Sequence, residues 1–332
     1  MKVDISVIIL SWDDRQHLEE CLESLSSGSK SHTMEVIVVD NASTDGSPEM
    51  VENKFPRAKL IRNRENLGFS KGNNIGVKAS QGRYVCLLNS DTIVLDNCLE
   101  ALADHLDQNP KIGMIGPKIL NADRTHQSSC REFPNWWNNF CSAAGLANIF
   151  RDSEFFSAEH MFYFKGDRTM DVDVLVGCFW MARREALDDY GLLDEDFFMY
   201  GEDVDWCRRC WKSGWRVTFF HEAQAIHYRG GSSAKKDVVW VEVTQQRSLL
   251  RYWEKHHGLR GRLGMSCLLF VHWTIRWGEA SINYVIRPSR RKDNWTRMRV
   301  SLGCLRDLFT TGCRAGIYGI ESGRVREALL DG

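Results

Sequence analysis

Val36-Ile37-Val38-Val39-Asp40-Asn41-Ala42-Ser43-Thr44-Asp45-Gly46-Ser47 sets four consecutive β-branched residues against a polar run punctuated by glycine. Four apolar residues without polar alternation read as a strand buried on both faces, the pattern of a parallel sheet. Upstream, Val3 to Leu10 has the same character and stops at Ser11-Trp12-Asp13-Asp14. An amphipathic helix follows, with Leu18, Cys21, Leu22 and Leu25 on one face. Strand, helix, strand is the first unit of an α/β fold. In such open sheets ligands bind at the carboxyl ends of strands, which sets Ser11 and Asp40 beside one. Asp40 suits hydrogen bonds from a base or ribose, whereas Ser43 to Asp45 reads equally as a turn and a helix cap.

Ala58 to Ile61 reads as a third strand, followed by Asn66-Leu67-Gly68-Phe69-Ser70-Lys71-Gly72-Asn73-Asn74-Ile75-Gly76. Glycines and asparagines at this density suit a backbone pressed against a ligand; a tight turn into a helix explains the glycines equally well. No GxGxxG follows the first strand and no GxxxxGK[ST] occurs, which argues against a dinucleotide-binding dehydrogenase and a P-loop nucleotidase. Tyr84 to Leu88, a fourth strand, delivers Asn89-Ser90-Asp91 to the same edge as Ser11 and Asp40. A carboxylate there is where a hard divalent cation bridging two phosphates would sit. Gly201-Glu202-Asp203 puts two carboxylates just before a helical segment, Val204 to Ser213. At a helix N-terminus they either cap the helix or hold an ionised base ready for a substrate hydroxyl.

The chain has 332 residues, 43% of them hydrophobic and 26% charged, enough for one large or two modest domains with a full core. Its eleven scattered cysteines and the short apolar run after Met1 point to reduced thiols in a cytosolic compartment. Cys207 and Cys210 lack a second pair at zinc spacing and read as helix packing. Net charge is −1, but residues 247–332 carry 16 Lys and Arg against 7 Asp and Glu. That tail is distinctly basic, so the two parts face different partners.

Taken in order, residues 36–47, Asn66-Leu67-Gly68-Phe69 with Gly72-Asn73-Asn74, Leu87-Leu88-Asn89-Ser90-Asp91 and Gly201-Glu202-Asp203-Val204-Asp205 resemble the motifs of family 2 glycosyltransferases. The resemblance covers about residues 3–233 and is strongest to the rhamnosyltransferase-like branch that builds bacterial surface polysaccharides. It implies an α/β GT-A nucleotide-diphospho-sugar transferase fold, with a mixed, mostly parallel sheet flanked by helices. By resemblance, Ser11 and Asp40 contact the nucleoside, with Asn66, Gly68 and Asn73 or Asn74 helping, and Asn89, Ser90 and Asp91 occupy the family's DxD position at the diphosphate. Asp91 and His227 then hold Mg²⁺ or Mn²⁺. Asn89 replaces the motif's first Asp, removing one anionic ligand while leaving an oxygen. Asp203 matches the general base and Glu202 an acceptor contact or support. Trp180, in Gly177-Cys178-Phe179-Trp180 before the helix Arg183 to Tyr190, either stacks on the acceptor or belongs to the core.

The activity so implied is an inverting transfer, with L-rhamnose from dTDP-rhamnose as the best donor guess. The acceptor is a lipid-linked or polysaccharide glycan. The alternative is a catalytically silent sugar-nucleotide-binding subunit, which Asn89 keeps open. Residues 1–245 form the expected transferase domain, with 1–95 binding the nucleotide and 96–245 the acceptor, and 246–332 a basic, mostly helical extension. Arg131 to Phe164 is dense in aromatics at irregular spacing and reads as a partly ordered lid or as packing. Gly230-Gly231-Ser232-Ser233 with Lys235 and Lys236 reads as a loop closing over the diphosphate or a solvated turn. Leu263 to Ile286, broken by His272, Arg276 and Glu279, reads as an interfacial rather than spanning helix. Arg287, Arg290, Arg291, Lys292, Arg297 and Arg299 then meet anionic lipid, giving a peripheral protein at the cytoplasmic face; a dimer contact is the competing reading. Nucleic acid is not an expected partner, because no recognised fold or motif accompanies the basic tail.

Overall fold

The computed structural model describes residues 3–25, 31–228 and 237–310. The expected closing loop at 230–236 lies outside them. The chain divides into two compact units, Met1–Asp194 with Gly201–Asp237, and Glu195–Tyr200 with Val238–Gly332.

In the first unit, β1 (Ile5–Ser11), β2 (Met34–Asp40), β3 (Lys59–Arg62) and β4 (Tyr84–Asn89) are parallel and lie in the order β3-β2-β1-β4. They are joined in chain order by α1 (Arg15–Ser24), α2 (Ser47–Lys54) and α3 (Phe69–Lys78). The chain builds outward from β1 in one direction and then returns to its other side, so the carboxyl ends of β1 and β4 flank a topological switch point. After β5 (Thr92–Val94) and α4 (Cys98–Gln108) come β6 (Ile112–Leu120), β7 (Cys130–Arg131), β8 (Met170–Asp171), β9 (Val174–Leu175), β10 (Phe179–Arg183) and β11 (Arg216–His227). Here the sheet becomes mixed: β10 runs antiparallel between β4 and β6, while β11 is parallel to β6 and antiparallel to β5 and β8. Nine strands make this sheet among the described residues, and β7 pairs with β9 in a separate ribbon.

Both faces of the sheet are dry, which is why its central strands carry unbroken apolar runs. Ile5, Val7 and Ile9 pack with Leu18, Leu22, Leu102 and Leu106 on one side. Ile8 joins Val77, Leu87, Trp180 and Trp206 on the other. The glycines of α3 serve this packing. A Cβ on Gly72 would stand 2.4 Å from Leu10 Cδ1, and one on Gly76 would stand 2.4 Å from Ile8 Cγ2. They let a helix lie directly on β1, and no ligand is needed to explain them.

The aromatic stretch has more regular structure than its spacing suggests, with α5 (Trp136–Ala143), α6 (Leu146–Ile149), α7 (Glu154–Ser157) and a 3-10 turn at Ala158–His160. Asn135 starts α5 by accepting the Asn138 N–H at 2.8 Å. Met161 and Phe164 enter the core, whereas Trp136, Phe140, Phe150 and Phe155 remain exposed. Completing the unit are α8 (Arg184–Tyr190) and α9 (Glu202–Lys212).

The second unit is helical, built on α10 (Val238–Ile286) and α11 (Arg291–Thr310). The expected boundary at 245/246 falls inside α10. This helix breaks at Gly258, whose φ of 69° is left-handed. Trp273 donates to Gln246 Oε1 at 2.7 Å, Gln246 donates to the Cys304 carbonyl at 3.0 Å, and Arg247 pairs with buried Asp307 at 2.7 Å. These bonds fasten α11 across both limbs of α10. Among the described residues no helix is long and apolar enough to cross a membrane.

Candidate active site

Parallel register sets Ser11 opposite Asp40 and Leu10 opposite Asn89, so three sequence-nominated residues share the carboxyl edge of the sheet. Ser11 and Asp40 are buried, yet Ser11 Oγ and Asp40 Oδ1 find no hydrogen-bond partner among the described residues. Asp40 Oδ2 accepts the Ser43 N–H at 3.1 Å. Buried oxygens without partners are costly, and these two stand in register at the strand edge, open to donors from outside the described residues. The surrounding loops are stitched together: Asp13 N–H donates to Ser43 Oγ at 2.9 Å, and Thr44 N–H donates to Asp13 Oδ1 at 2.6 Å. The edge is therefore pre-formed.

Asn66 and Gly68 form a turn. Asn66 Oδ1 accepts the Gly68 N–H at 3.0 Å and Asn41 Nδ2 at 3.3 Å, while Asn41 also donates to the Gly68 carbonyl at 3.1 Å. Gly68 has φ +81°, a conformation that favours glycine. Asn41 is the hub of this turn, a role its place in the polar run did not reveal. The two asparagines beyond it differ from expectation. Asn74 is buried and clamps the Leu193 backbone, donating to its carbonyl at 2.8 Å and accepting its N–H at 3.1 Å. Asn73 is buried as well and donates to the Phe69 carbonyl at 3.0 Å, one helical turn back. The Asn74 amide is occupied at both ends in holding α3 to the chain after α8, whereas Asn73 is tied within α3 through Nδ2 alone.

Trp180 is likewise a core residue. It is fully buried, donates from Nε1 to the Leu175 carbonyl at 2.9 Å, and packs edge-on to Trp206 with centroids 5.3 Å apart. No ring face is open to an acceptor. Cys207 and Cys210 are buried free thiols on the inner face of α9, as the missing metal spacing implied.

Of the Asn89-Ser90-Asp91 run, Ser90 Oγ donates to Asp14 Oδ2 at 3.0 Å, and Asp14 Oδ1 lies 2.7 Å from His17 Nδ1. Asp91 and His227 meet because Thr92 of β5 pairs with His227 of β11, and Asp91 Oδ1 stands 3.2 Å from His227 Nε2. Behind the imidazole, Gln127 Nε2 donates to Asn121 Oδ1 at 2.8 Å and to the His227 carbonyl at 3.0 Å. That orients Oε1 toward His227 Nδ1 at 2.8 Å, so Nδ1 carries the hydrogen. In the neutral ring, the Nε2 lone pair then confronts a carboxylate oxygen. Two acceptors at this range need a proton or a cation between them, and a carboxylate with an imidazole backed by a carbonyl is a donor set that fits Mg²⁺ or Mn²⁺.

Two left-handed residues, Tyr200 (φ 69°) and Gly201 (φ 77°), turn the chain into α9, whose first turn holds Glu202, Asp203 and Asp205. Glu202 is buried, and its Oε2 has no partner among the described residues. Burial and the neighbouring Asp203 push Glu202 well above the usual carboxylate range. Burial also raises the half-buried Asp203 carboxyl, and Arg131 and the N–H groups of Val204 and Gly177 offset part of that rise. The Val204 N–H reaches Asp203 Oδ1 at 2.9 Å. Of the two, Glu202 is the carboxyl that burial drives furthest toward its protonated form, while Asp203 has the Arg131 and N–H partners, at a helix end, that favour its charged form. Asp205 has a different task. It is fully buried and paired at 2.8 Å with Arg209, which also donates to the Leu192 carbonyl at 2.7 Å and to the Tyr190 carbonyl. This ties α9 to the end of α8.

With this geometry in place, comparison with known proteins is informative. The sequence model of glycosyl transferase family 2 matches residues 6–191. The chain is similar to the N-acetylglucosaminyl-diphospho-decaprenol L-rhamnosyltransferase of Mycobacterium tuberculosis, at 25% identity over 82% of this chain and 94% of the relative. It is also similar to the dTDP-rhamnosyl transferase RfbF of Shigella flexneri, at 23% identity over 64% of this chain and 66% of that protein. Among solved structures, the mannosyltransferase PcManGT of Pyrobaculum calidifontis, in complex with GDP-Man and Mn²⁺, superposes with a TM-score of 0.53. The match has 16% identity and covers 94% of this chain and 88% of that one. The α/β unit has the GT-A fold that the motifs implied, carried here with a helical C-terminal region.

Proposed function

The chain belongs to glycosyl transferase family 2, and from that premise we propose that it is an inverting, metal-dependent transferase moving L-rhamnose from dTDP-rhamnose to a lipid-linked glycan. The observation that carries the reading is the pair of buried, unpartnered oxygens on Ser11 and Asp40, in register at the switch point of the sheet. They suit the hydrogen-bond donors of a nucleoside. The rhamnosyltransferases among the relatives support the donor, and the lipid diphosphate in one relative's name supports the acceptor class.

Asp91 and His227 would hold Mg²⁺ or Mn²⁺, with Asn89 offering a neutral oxygen beside them. When bound, the ion supplies charge neutralisation for the departing nucleoside diphosphate. Gln127 fixes the His227 tautomer that leaves Nε2 free to ligate. Asp203 takes the proton of the attacking acceptor hydroxyl; with one base and no nucleophile, a single displacement inverts the anomeric centre. Glu202, kept protonated by burial, donates a hydrogen bond to the acceptor side without competing for the proton. The protein works peripherally at the inner face of the membrane, where a lipid-linked acceptor is presented.

The test is single-turnover release of nucleoside diphosphate from a panel of nucleotide sugars with Mg²⁺ or Mn²⁺ and membrane lipid extract. We expect one donor to turn over, only with metal, and Asp203→Asn to lose at least a hundredfold in rate, the lower reach of general-base catalysis being about 10². Donor binding without turnover in any combination, unaltered by Asp203→Asn, would overturn the enzyme in favour of a silent binding subunit.

A further inference from the structure

The helical unit carries an exposed apolar surface of its own. On the second limb of α10, Leu263, Phe270, Val271, Ile275, Ile282 and Val285 are all exposed, between 43% and 72%. At 3.6 residues per turn they fall on about one half of the helix circumference, opposite the buried Met265, Leu269 and Trp273. On α11, Trp295, Leu302 and Phe309 recur every seven residues and are exposed by 54%, 50% and 66%. Lys292, Arg299 and Arg306 recur at the same interval, are exposed, and lie along the neighbouring line of that helix.

These stripes form one face. Phe270 touches Phe309 with ring centroids 5.9 Å apart, and Tyr284 touches Trp295 at 6.4 Å, so the apolar line of α10 meets that of α11 toward both ends of the pair. The charge beside it is predominantly basic, Asp293 being the exposed exception on α11. In 287–310 the acidic residues are Asp293 and Asp307, and Asp307 is buried against Arg247. We propose that this α10–α11 face lies in the interfacial layer of an anionic bilayer. Trp295, Leu302, Phe309 and the α10 stripe enter the acyl boundary, and Lys292, Arg299 and Arg306 reach along their stems to lipid phosphates. The argument for lipid over a second copy of the chain is charge complementarity: a two-fold contact through this face would gather two basic lines at one interface with no acidic line to meet them, whereas acidic headgroups neutralise them. The proposal gives the peripheral location inferred above a definite surface, and it rests on that reading for its purpose only.

The experiment is sedimentation of the full-length protein with vesicles of phosphatidylcholine alone and of phosphatidylcholine with 30% phosphatidylglycerol (about one lipid in three, an ordinary anionic content). It is read without donor, metal or turnover. Wild type and Asp203→Asn should bind the anionic vesicles alike and release in high salt, where charge is screened. Lys292→Glu/Arg306→Glu and, separately, Ile275→Ser/Leu302→Ser should each weaken binding about tenfold or more; all four positions are exposed, so the fold should tolerate the changes. Equal binding to both vesicles, binding unchanged in both double variants, or no binding at low salt would overturn the proposal. So would a dimer in equilibrium sedimentation that Ile275→Ser/Leu302→Ser dissociates, since the face would then be a contact between copies. Because Asp203→Asn separates the readouts, failed docking does not count against the transferase, nor failed turnover against docking.

Discussion

Glu202→Gln should stabilise the protein increasingly as pH rises. Burial and Asp203 raise the Glu202 carboxyl well above its ordinary 4.5, and its Oε2 has no partner among the described residues to favour the ionised form. Above pH 4.5 the unfolded chain has released this proton while the folded chain retains it. The folded state then binds more protons, so stability falls with pH from about the unfolded value until the folded group itself ionises. One retained proton gives a slope of at most about 1.4 kcal/mol per pH unit. Glutamine keeps the size and polarity of the protonated acid and removes that slope. From pH 5.5 to 7.5 the variant should therefore gain up to about 2–3 kcal/mol over wild type. Titration of nearby Asp203, common to both proteins, largely cancels in the difference. Urea unfolding at matched pH values, compared as midpoint times slope, reads the gain directly. A difference that stays flat across the window, or that moves in favour of wild type, would refute the assignment of the proton to Glu202 and with it the division of roles between the two carboxyls.

Two further outcomes follow from side chains behind the site. Asp205→Ala should cost about 3 kcal/mol in urea unfolding, at the low end for one partner of a buried pair, because Arg209 keeps 20% exposure and its carbonyl partners; a loss under about 1 kcal/mol would mean that the pair does not anchor α9. Gln127→Leu should weaken Mn²⁺ binding, followed by the loss of free-ion electron paramagnetic resonance signal, by about 10- to 100-fold. Unchanged affinity would show that the His227 tautomer does not depend on it.

The strands and their ligand edge were legible because burial on both faces leaves no alternative to a continuous apolar run, and a run that must stop announces its carboxyl end. Ser11 and Asp40 were named from that, and Asp91 from that together with the family motif; the parallel register sets Ser11 opposite Asp40 and ends β4 at Asn89, two residues before Asp91. What failed was the step from residue type to partner. Asn74 looks like a ligand residue because amides bind ligands, but an amide serves a backbone as readily, and Asn74 finds Leu193, 119 positions away. Gly72 and Gly76 suggested a backbone pressed against a ligand or a tight turn, yet the missing Cβ makes room for Leu10 and Ile8. Trp180 has the area to stack on a sugar, and that same area makes it the natural filler between α3 and α9.

The same blindness to partners hid the residues that make the named ones useful. Gln127 sits 100 positions before His227 in a stretch with no motif, and only the closure of β11 against β5 and β6 brings the two together. Its amide is held by Asn121 and by the His227 carbonyl, which removes the choice of which end faces the ring. The histidine's identity is therefore local in the sequence, but its readiness to bind a cation is a property of the sheet. Asp203 shows the same division. The motif names two adjacent carboxylates and leaves their protonation open; burial raises Glu202 furthest, while Arg131 and the Gly177 N–H offset part of the rise at Asp203, so the surroundings make the two unequal. Substituting those supports should change how the site titrates and coordinates before it changes which residues line it.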